Sequence, residues 1–254
     1  SLSTMDSWVL PASGHLSADD QVTTRTYDDH GRVLTVTTAL TASASATTTN
    51  QYDAFGNLVK VTDPRGNAGY FYYDLLNRQT LQVDPEGFAT ATTYTIGDEP
   101  ASVTRYAVRA TGVGSTTTRP TVSANAKDAT TTFNRDKLDR LTSVVDAEGY
   151  TESYGLNAFG DRVTVTNKLG GTTTNTFDKR GLLLSEVLPM TSVLASGSVQ
   201  ASTVTNTYLY DARGNRTRMI EAAGLAEQRT TNYTYDLADR MTAKAGDSIQ
   251  KATH

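Results

Sequence analysis

The chain repeats itself with a period of 21 residues, and this period restricts the possible fold more than any other feature. Asp53 in "YDAFGNL" is followed 21 positions later by Asp74 in "YYDLLNR". The same offset joins Asp136 to Asn157 and Asn157 to Asp178. Spacings of 25 or 33 positions separate other copies, where low-complexity runs fill the additional length. A fixed period of this length is typical of proteins whose repeats pack mainly against their neighbours.

A second turn signal lies ten positions after the first, as in "DPRG" at Asp63 and "DPEG" at Asp84. Aspartate at the first turn position accepts backbone hydrogen bonds, proline presets the next φ, and glycine gives freedom at the fourth position. Between the turns, Val59 and Val61 alternate with Lys and Thr, which is the pattern of a strand. No window of a dozen residues keeps a helical apolar period free of Gly, Pro or Thr clusters, so helices are not expected.

We therefore predict an all-β fold, a spiralling strip of antiparallel β-hairpins that forms a partial, open segment. Six or seven residues between turns give strands of roughly 20 Å. Since adjacent strands rotate by roughly 20–25°, the strip should coil rather than stay flat. An open strip has two end strands with unpaired backbone groups. We expect it to self-associate through them or to cover them with its terminal segments, residues 1–22 and 243–254.

The composition excludes several classes of partner and site. Lys and Arg number 23 against 27 Asp and Glu, a formal net charge of −4 without a basic block, so nucleic acid is not an expected partner. The absence of cysteine excludes disulfides and thiolate metal sites. No stretch reaches the roughly 18 apolar residues of a membrane-spanning helix. The chain begins at Ser1 without a charged or apolar leader, so we expect an excised fragment or a processed product.

These residues resemble the YD repeats of the RHS family, found in bacterial RHS proteins, the cage-forming subunits of Tc toxin complexes and animal teneurins. The pattern YxYDxxGR, followed by a strand and DPxG, stands here as "FYYDLLNRQ" at 71–79, "YLYDARGNR" at 208–216 and "YTYDLADRM" at 233–241. The resemblance covers about residues 25–241 and implies a β-strip that coils into a hollow shell. The self-cleaving core segment and the variable toxic domain of many bacterial members are not matched, so neither activity is expected of this chain.

The repeat pattern divides the chain into three parts. We predict a lead segment at 1–24, the YD-repeat strip at 25–242, and a tail at 243–254. Irregular runs rich in Ser, Thr, Ala and Gly interrupt the strip near 37–49, 109–130 and 188–202. Because these runs carry little apolar periodicity, we predict that they are exposed insertions at hairpin tips.

The residues that define the repeat are candidates either for turn capping or for ligand binding. The signature positions are Tyr27, Asp28, Gly31, Tyr52, Asp53, Gly56, Asp63, Gly66, Tyr73, Asp74, Asp84, Gly87, Asp136, Asp146, Gly149, Asn157, Gly160, Asp178, Gly181, Tyr210, Asp211, Gly214, Tyr235 and Asp236. Turn aspartates could bind calcium, but no unit has the dense D-x-D-x-D-G loop of a calcium site. We predict backbone capping and no metal site.

Two further sets of side chains recur with the repeat. One is the arginines that follow a turn, Arg32, Arg78, Arg140, Arg162, Arg216 and Arg240. They either bridge the aspartate of a neighbouring repeat or are solvated surface charges. The other is the aromatic set Tyr27, Tyr52, Phe71, Tyr73, Phe133, Phe177, Tyr208, Tyr210, Tyr233 and Tyr235. These side chains should form rows that pack across strands or stack on sugar rings.

Catalysis has little support in the sequence. His15, His30 and His254 are isolated, so spacing proposes neither a metal pair nor a triad base, and we expect neither an enzyme nor a cofactor. Two functions remain open. One is a structural wall of an RHS-type shell that encapsulates a toxin or other polypeptide cargo, with that cargo and further repeats as partners. The other is a cell-surface adhesion module that binds carbohydrate or a protein. By family resemblance, either would be secreted or at the cell surface.

Overall fold

The structure, a computed structural model, describes residues 22–41, 44–193 and 196–246. The described residues form 18 β-strands and no helix, and each paired strand runs antiparallel to its partner. The predicted all-β strip of antiparallel hairpins is therefore confirmed. The chain divides into two compact units, Ser1–Thr132 and Phe133–His254. The lead segment and most of the tail lie outside the described residues, as do His15 and His254.

The first unit is a β-meander in which each strand pairs with the next. Its strands are β1 (Thr23–Tyr27), β2 (Val33–Ala39), β3 (Ser45–Tyr52), β4 (Leu58–Thr62), β5 (Ala68–Tyr73), β6 (Gln79–Val83), β7 (Ala89–Tyr94) and β8 (Pro100–Arg105). Strand β9 (Ala129–Arg135) crosses the boundary, and its first four residues pair with β8.

The second unit continues from the end of β9, where Asn134 Nδ2 donates to Ser143 Oγ at 2.9 Å. Its strands are β10 (Leu141–Val145), β11 (Thr151–Leu156), β12 (Arg162–Thr166), β13 (Thr172–Phe177), β14 (Leu183–Val193), β15 (Val199–Tyr210), β16 (Arg216–Glu221), β17 (Arg229–Tyr235) and β18 (Met241–Gly246). From β10 to β18, each strand again pairs antiparallel with the next.

The two turns of each repeat lie on opposite edges of the sheet and differ in register. We call the turns anchored at Asp28, Asp53, Asp74, Thr95, Asp136, Asn157, Asp178, Asp211 and Asp236 the YD turns, and those anchored at Asp63, Asp84, Asp146 and Asn167 the DG turns. A β-bulge accompanies the YD hairpins, as where Gln51 pairs with Lys60 but Tyr52 pairs with Leu58. The DG hairpin at Asp63 keeps a continuous register. A bulge inserts one extra residue into one strand.

The bulge explains why the period can be an odd number. Side chains alternate between the two faces of a strand, so a regular meander would place residues 21 positions apart on opposite faces. One extra residue per repeat corrects this. Accordingly, Lys60 pairs with Gln51 on one side and with Tyr70 on the other, and Tyr72, 21 positions after Gln51, alternates onto the same face as Tyr70.

Positive φ angles recur at the fourth position of the turns. All eight signature glycines have them, and Gly56, for example, has φ of 92°. Where glycine is missing, Asn77, Asp98, Asp139 and Asp239 take its place with φ between 59° and 66°. Asn and Asp tolerate this left-handed region better than other side chains do. The sequence pattern "YDLLNR" is therefore equivalent in backbone geometry to "YDAFGN".

The main apolar cluster lies on one face of β5, β6 and β7. Its buried members are Tyr70, Tyr72, Leu81, Val83 and Ala89, and Leu81 and Val83 are at most 1% exposed. A single sheet cannot bury a side chain this completely without a second layer. Residues 106–122 supply that layer, and we call this segment the strap.

The run predicted at 109–130 is an insertion at the tip of the β8–β9 hairpin, as expected, but its strap portion folds back over the sheet instead of remaining exposed. Val113 and Val122 pack on the apolar cluster. The backbone N–H of Ala110 donates to the Gly87 carbonyl at 2.8 Å, and the Tyr72 hydroxyl donates to the Ser115 carbonyl at 2.7 Å. Sequence reasoning missed this because the strap's few apolar residues follow no strand or helix period.

The other two irregular runs lengthen hairpins rather than forming insertions at their tips. Strands β2 and β3 pair as far as Ala39 and Ser45, and β14 and β15 pair as far as Val193 and Val199. Threonine is β-branched and fits a pleated surface, so Ser/Thr-rich composition is compatible with strands. Cross-strand contacts such as Thr37 Oγ1 to Thr47 Oγ1, at 2.9 Å, support the pairing.

Candidate functional site

The turn aspartates cap their own turns. Asp53 Oδ1 accepts the backbone N–H groups of Phe55 and Asn57 at 2.9 and 2.8 Å, and its Oδ2 accepts Asn57 Nδ2 at 2.9 Å. The same pair of backbone bonds occurs at Asp28, Asp63, Asp74, Asp136, Asp146, Asn157, Asn167, Asp178, Asp211 and Asp236. Asp84 accepts the N–H of Phe88. The turn aspartates that could have served as metal ligands therefore accept hydrogen bonds from the backbone of their own turns.

An arginine links one YD turn to the next along the same edge. Arg78 forms a 2.7 Å ion pair with Asp74 of its own turn. Its Nη1 also donates to the Thr95 carbonyl at 3.2 Å and to Asp98 Oδ1 at 2.8 Å, both in the following YD turn. The predicted bridge to an aspartate of the neighbouring repeat thus exists at Arg78, which also pairs with the carboxylate of its own turn and with a backbone carbonyl of the next.

The same link recurs with either arginine or asparagine. Arg32 reaches the Asp53 carbonyl at 3.5 Å, and Asn57 Nδ2 donates to Asn77 Oδ1 at 2.9 Å. In the second unit the links are Arg140 to the Asn157 carbonyl, Arg180 to the Asp211 carbonyl, and Asn215 to Asp239. We call this series the turn ladder. Arg240 pairs with Asp236 of its own turn at 2.7 Å.

Tyrosine hydroxyls form a second set of links in the opposite direction. The tyrosine that precedes a YD anchor donates to a backbone carbonyl at the start of the strand that follows the previous YD turn. Tyr52 reaches Val33, Tyr73 reaches Leu58, Tyr94 reaches Gln79 and Tyr235 reaches Arg216, at 2.8–3.1 Å. The motif Y-D-x-x-G-R therefore encodes one backward and one forward link per repeat.

The electrostatics of the turns follow from these contacts. The hydrogen bond from the Arg78 side chain, with the backbone N–H of Arg78, lowers the pKa of Asp74 below its ordinary value. Arg140 has the same effect on the pKa of Asp136. On the opposite edge, Lys168 Nζ donates to Asp146 Oδ2 at 2.6 Å and lowers the pKa of that carboxyl. All these aspartates are therefore charged at neutral pH, which strengthens their hydrogen bonds.

Not every predicted arginine joins the ladder. Arg162 stacks over the Tyr154 ring at 4.0 Å, and Arg216 lies between the rings of Tyr208 and Tyr233 at 5.8 and 5.0 Å. Sequence reasoning also missed two arginines that do join it, Arg180 and Arg213, because they occupy the third turn position rather than following the turn.

An open groove lies between two YD turns of the first unit and the strap. It has a volume of about 600 Å³ and is lined by Phe71, Tyr72, the turns at Asp53 and Asp74, and strap residues that include Arg119. Arg119 Nη1 donates to Thr80 Oγ1 at 3.1 Å. Aromatic rings beside amide and guanidinium groups make this the concave site with the most mixed chemistry among those described.

Metal and membrane features are not found in the described part of the chain. No three His, Asp or Glu side chains there are grouped so that they could hold a metal ion. Within the same residues, no helix has the length and apolar character to cross a membrane. His30 lies in the first YD turn, where its backbone N–H donates to Asp28 Oδ1.

Comparison with known proteins agrees with the repeat geometry. The RHS Repeat family model matches residues 38–68, 52–90 and 135–173. No curated protein matches the sequence. Among solved structures, the crystal structure of TcdB2-TccC3-Cdc42 is 18% identical with a TM-score of 0.58, and the match covers 86% of this chain and 12% of that one.

Two further structures give the same result. A Photorhabdus luminescens Tc holotoxin pore with a TccC3 variant is 17% identical, with a TM-score of 0.56 over 85% of this chain and 12% of that chain. The crystal structure of TcdB2-TccC3 is 17% identical, with a TM-score of 0.56 over 84% and 12%. At this identity the likeness shows the fold, and the chain spans about an eighth of the length of these proteins. The family resemblance is therefore confirmed: this chain carries RHS repeats in an antiparallel β fold that it shares with Tc toxin components.

Proposed function

We propose that this chain is a length of structural wall in an RHS-type shell that encloses a polypeptide cargo, such as a toxin. The turn ladder is the observation that carries the proposal. Backbone pairing between neighbouring strands is supplemented at many YD turns by a forward arginine or asparagine link, and at Tyr52, Tyr73, Tyr94 and Tyr235 by a backward tyrosine link. Such reinforcement suits a sheet whose task is to remain continuous.

The side chains most regularly repeated in the chain support a mechanical role. Their polar atoms bind the protein's own backbone, as the Asp53 carboxylate and the Tyr73 hydroxyl do. A catalytic or ligand-binding group would instead be left available to a substrate. The wall is therefore proposed as non-enzymatic and without a cofactor. Its partners would be the enclosed polypeptide and further repeats of a longer parent, secreted or at the cell surface.

Protease protection in the parent protein tests the proposal. The reading frame that contains this chain is expressed whole, and the survival of any polypeptide inside it is followed during digestion. Arg78→Ala removes one rung of the ladder and should speed cleavage of that polypeptide several-fold. Arg105→Ala, at an exposed residue of β8, is the matched control and should leave the rate unchanged.

Two results would contradict the wall. One is an enclosed segment that is digested as fast in the intact parent as after unfolding. The other is a reading frame that continues into a cell-wall anchor and contains no enclosed polypeptide.

Adhesion is a second candidate because of the groove beside the strap. Phe71 and Tyr72 offer rings on which a sugar could stack, and Asn57, Asn77 and Arg119 offer hydrogen-bonding groups at its rim. A glycan array probed with this chain tests it. Binding that is lost in Arg119→Ala and kept in Arg105→Ala would support adhesion through the groove, whereas a blank array would exclude it for the glycans presented.

A further inference from the structure

The two middle positions of consecutive YD turns in the first unit carry exposed apolar side chains. Phe55 and Leu76 are at the third turn position, and Leu75 and Ile96 are at the second. Their exposed fractions are 81%, 65%, 105% and, for Leu75, 101%. Backbone and anchor side-chain hydrogen bonds close these turns, as where the Gly56 N–H donates to the Asp53 carbonyl at 3.2 Å, so turn closure does not require large apolar residues here. We call these four side chains the apolar row.

The opposite edge of the same unit has different chemistry. Its DG turns present Pro64 with Arg65, and Pro85 with Glu86, all of them exposed. Proline and charge discourage association, and both are usual at edges that stay in water. Within the first unit, this contrast distinguishes the YD-turn edge from the DG turns at Asp63 and Asp84. Exposed apolar patches of a few hundred Å² mark interaction surfaces.

The spacing of the side chains in the apolar row indicates which kind of partner surface could pack against them. Successive YD turns lie two strands apart, which is about 9.6 Å at roughly 4.8 Å per strand. A partner that fills the gaps between these side chains must present its own with the same period. Another YD-turn edge does so, because the same strand spacing sets its period. An amphipathic helix repeats every second turn at about 10.8 Å, so it is out of step by about 2.4 Å across the three YD turns.

The available area agrees with a weak but specific contact. A buried phenylalanine contributes on the order of 200 Å² and each aliphatic side chain about 100 Å². Four side chains from each partner therefore bury about 1,000 Å², which is near the lower limit for a biological interface.

We propose that the apolar row docks against the apolar row of a second copy of this chain, edge to edge, about a twofold axis. In such an isologous contact the middle turn faces itself, and the outer turns face each other. Leu75 and Leu76 then lie at the axis, and Phe55 of one copy meets Ile96 of the other. This contact uses the turn edge and leaves the end strands unpaired, so it differs from self-association through the end strands.

Sedimentation of the full chain tests whether the row drives association. A monomer–dimer equilibrium with a dissociation constant on the order of 10–100 μM is expected for a contact of this size. The triple variant Phe55→Lys, Leu75→Lys, Ile96→Lys should raise that constant more than tenfold. The control Pro64→Lys, Gln82→Lys, Pro85→Lys adds the same charge elsewhere in the unit and should change it less than twofold. Circular dichroism checks that both variants remain folded.

Disulfide trapping tests the geometry, and the chain suits it because it has no cysteine. Leu75→Cys should form a covalent dimer rapidly, whereas Phe55→Cys should do so efficiently only when mixed with Ile96→Cys. Pro85→Cys and Ala243→Cys report on the opposite edge and on β18. A chain that stays monomeric at millimolar concentration would overturn the proposal. So would faster trapping through Ala243→Cys than through Leu75→Cys, which would indicate pairing of end strands.

Discussion

The two units cover the large side chains on their sheet faces in different ways. Each presents a sheet face that must be covered if its large side chains are to leave water. The first unit covers Leu81 and Val83 with the strap, a separate stretch of chain. The second unit covers Tyr208 and Tyr233 with long cationic side chains from its own strands. Arg216 stacks on both rings, and Lys244 lies 6.0 Å from the ring of Tyr233.

The comparison shows that the repeat determines the sheet but does not determine what covers the face of that sheet. The aliphatic stems of Arg and Lys bury apolar surface while their charged ends stay in water, and the charge is attracted to the ring face. A strap provides a dry, tightly packed layer instead. Both units have cationic side chains stacked on rings, as at Lys60 and Tyr70, and the first unit adds the burial that the strap provides.

The largest difference between the units should appear when a covered side chain is shortened. Leu81→Ala leaves a cavity under the strap and should lower the free energy of unfolding of the first unit by about 2–4 kcal/mol. Val165→Ala, on half-buried β12 of the second unit, should cost about 1 kcal/mol, because solvent and neighbours fill the space. Hydrogen exchange resolved by strand measures both. Equal losses would show that the strap does not act as a packed layer.

Removing the cationic cover should affect the second unit alone. Arg216→Ala loses two stacking contacts and should destabilise β15–β17 by about 1–2 kcal/mol, since each such contact contributes roughly 0.5–1 kcal/mol. Arg218→Ala, at an exposed residue of the same strand, is the matched control and should change stability by less than about 0.5 kcal/mol. Urea unfolding followed by tyrosine fluorescence makes the comparison, and indistinguishable variants would argue against stacking.

A tyrosine hydroxyl link like those of the first unit can be added to the second unit by one substitution. Phe177 stands where the first unit has a YD tyrosine, so Phe177→Tyr should place a hydroxyl near the Arg162 carbonyl. That carbonyl already accepts Asn175 Nδ2 at 3.0 Å. The Val33 carbonyl accepts both an asparagine and the Tyr52 hydroxyl, so room for two donors is expected. A gain of up to about 1 kcal/mol should follow.

The reverse change supplies the control. Tyr52→Phe should lose a similar amount in the first unit, measured by the midpoint of urea unfolding. A stabilising Tyr52→Phe would show that the hydroxyl links carry no net free energy.

Acid should weaken turns anchored by aspartate and spare those anchored by asparagine. The folded-state pKa of Asp74 is lowered, chiefly by the Arg78 side chain, so its stabilisation is present above the unfolded-state pKa of about 3.9 and is lost as pH falls through the folded-state value. Asp74→Asn should therefore reduce the loss of stability between pH 5 and pH 2. The amide oxygen of Asn157 makes the same backbone bonds. The protection factors of the amides in that turn should therefore fall less on acidification than those in the Asp74 turn, and an equal fall would contradict the assignment.

Much of the architecture could be predicted because it depends on local chemistry. The 21-residue period, the two turns and the alternation at Val59 and Val61 determine strands, edges and antiparallel pairing. The capping role of the aspartates likewise follows from turn geometry. Sequence reasoning placed the arginine bridge between repeats, and Arg78 does reach Asp98 of the next YD turn, but the additional carboxylate and carbonyl acceptors depend on side-chain reach that the pattern does not specify.

The segments that cover the sheet, such as the strap, could not be predicted from these local repeat and turn patterns. The strap's contacts join residues far apart in sequence, as Tyr72 and Ser115 are, and its composition is that of a loop. The long β14–β15 hairpin was also missed, because Ser and Thr serve equally in strands and in turns. Both the strap and the long hairpin depend on tertiary contacts, which a local sequence pattern does not specify.

The bulge beside each YD turn has a consequence for how such a chain can change over generations. Because it restores the alternation of faces once per repeat, a gene duplication or deletion of one whole repeat leaves every other side chain on its original face. Loss of a single codon within a strand would invert all the side chains that follow until the next irregularity. Such a sheet can therefore gain or lose whole repeats without changing the faces of the remaining side chains.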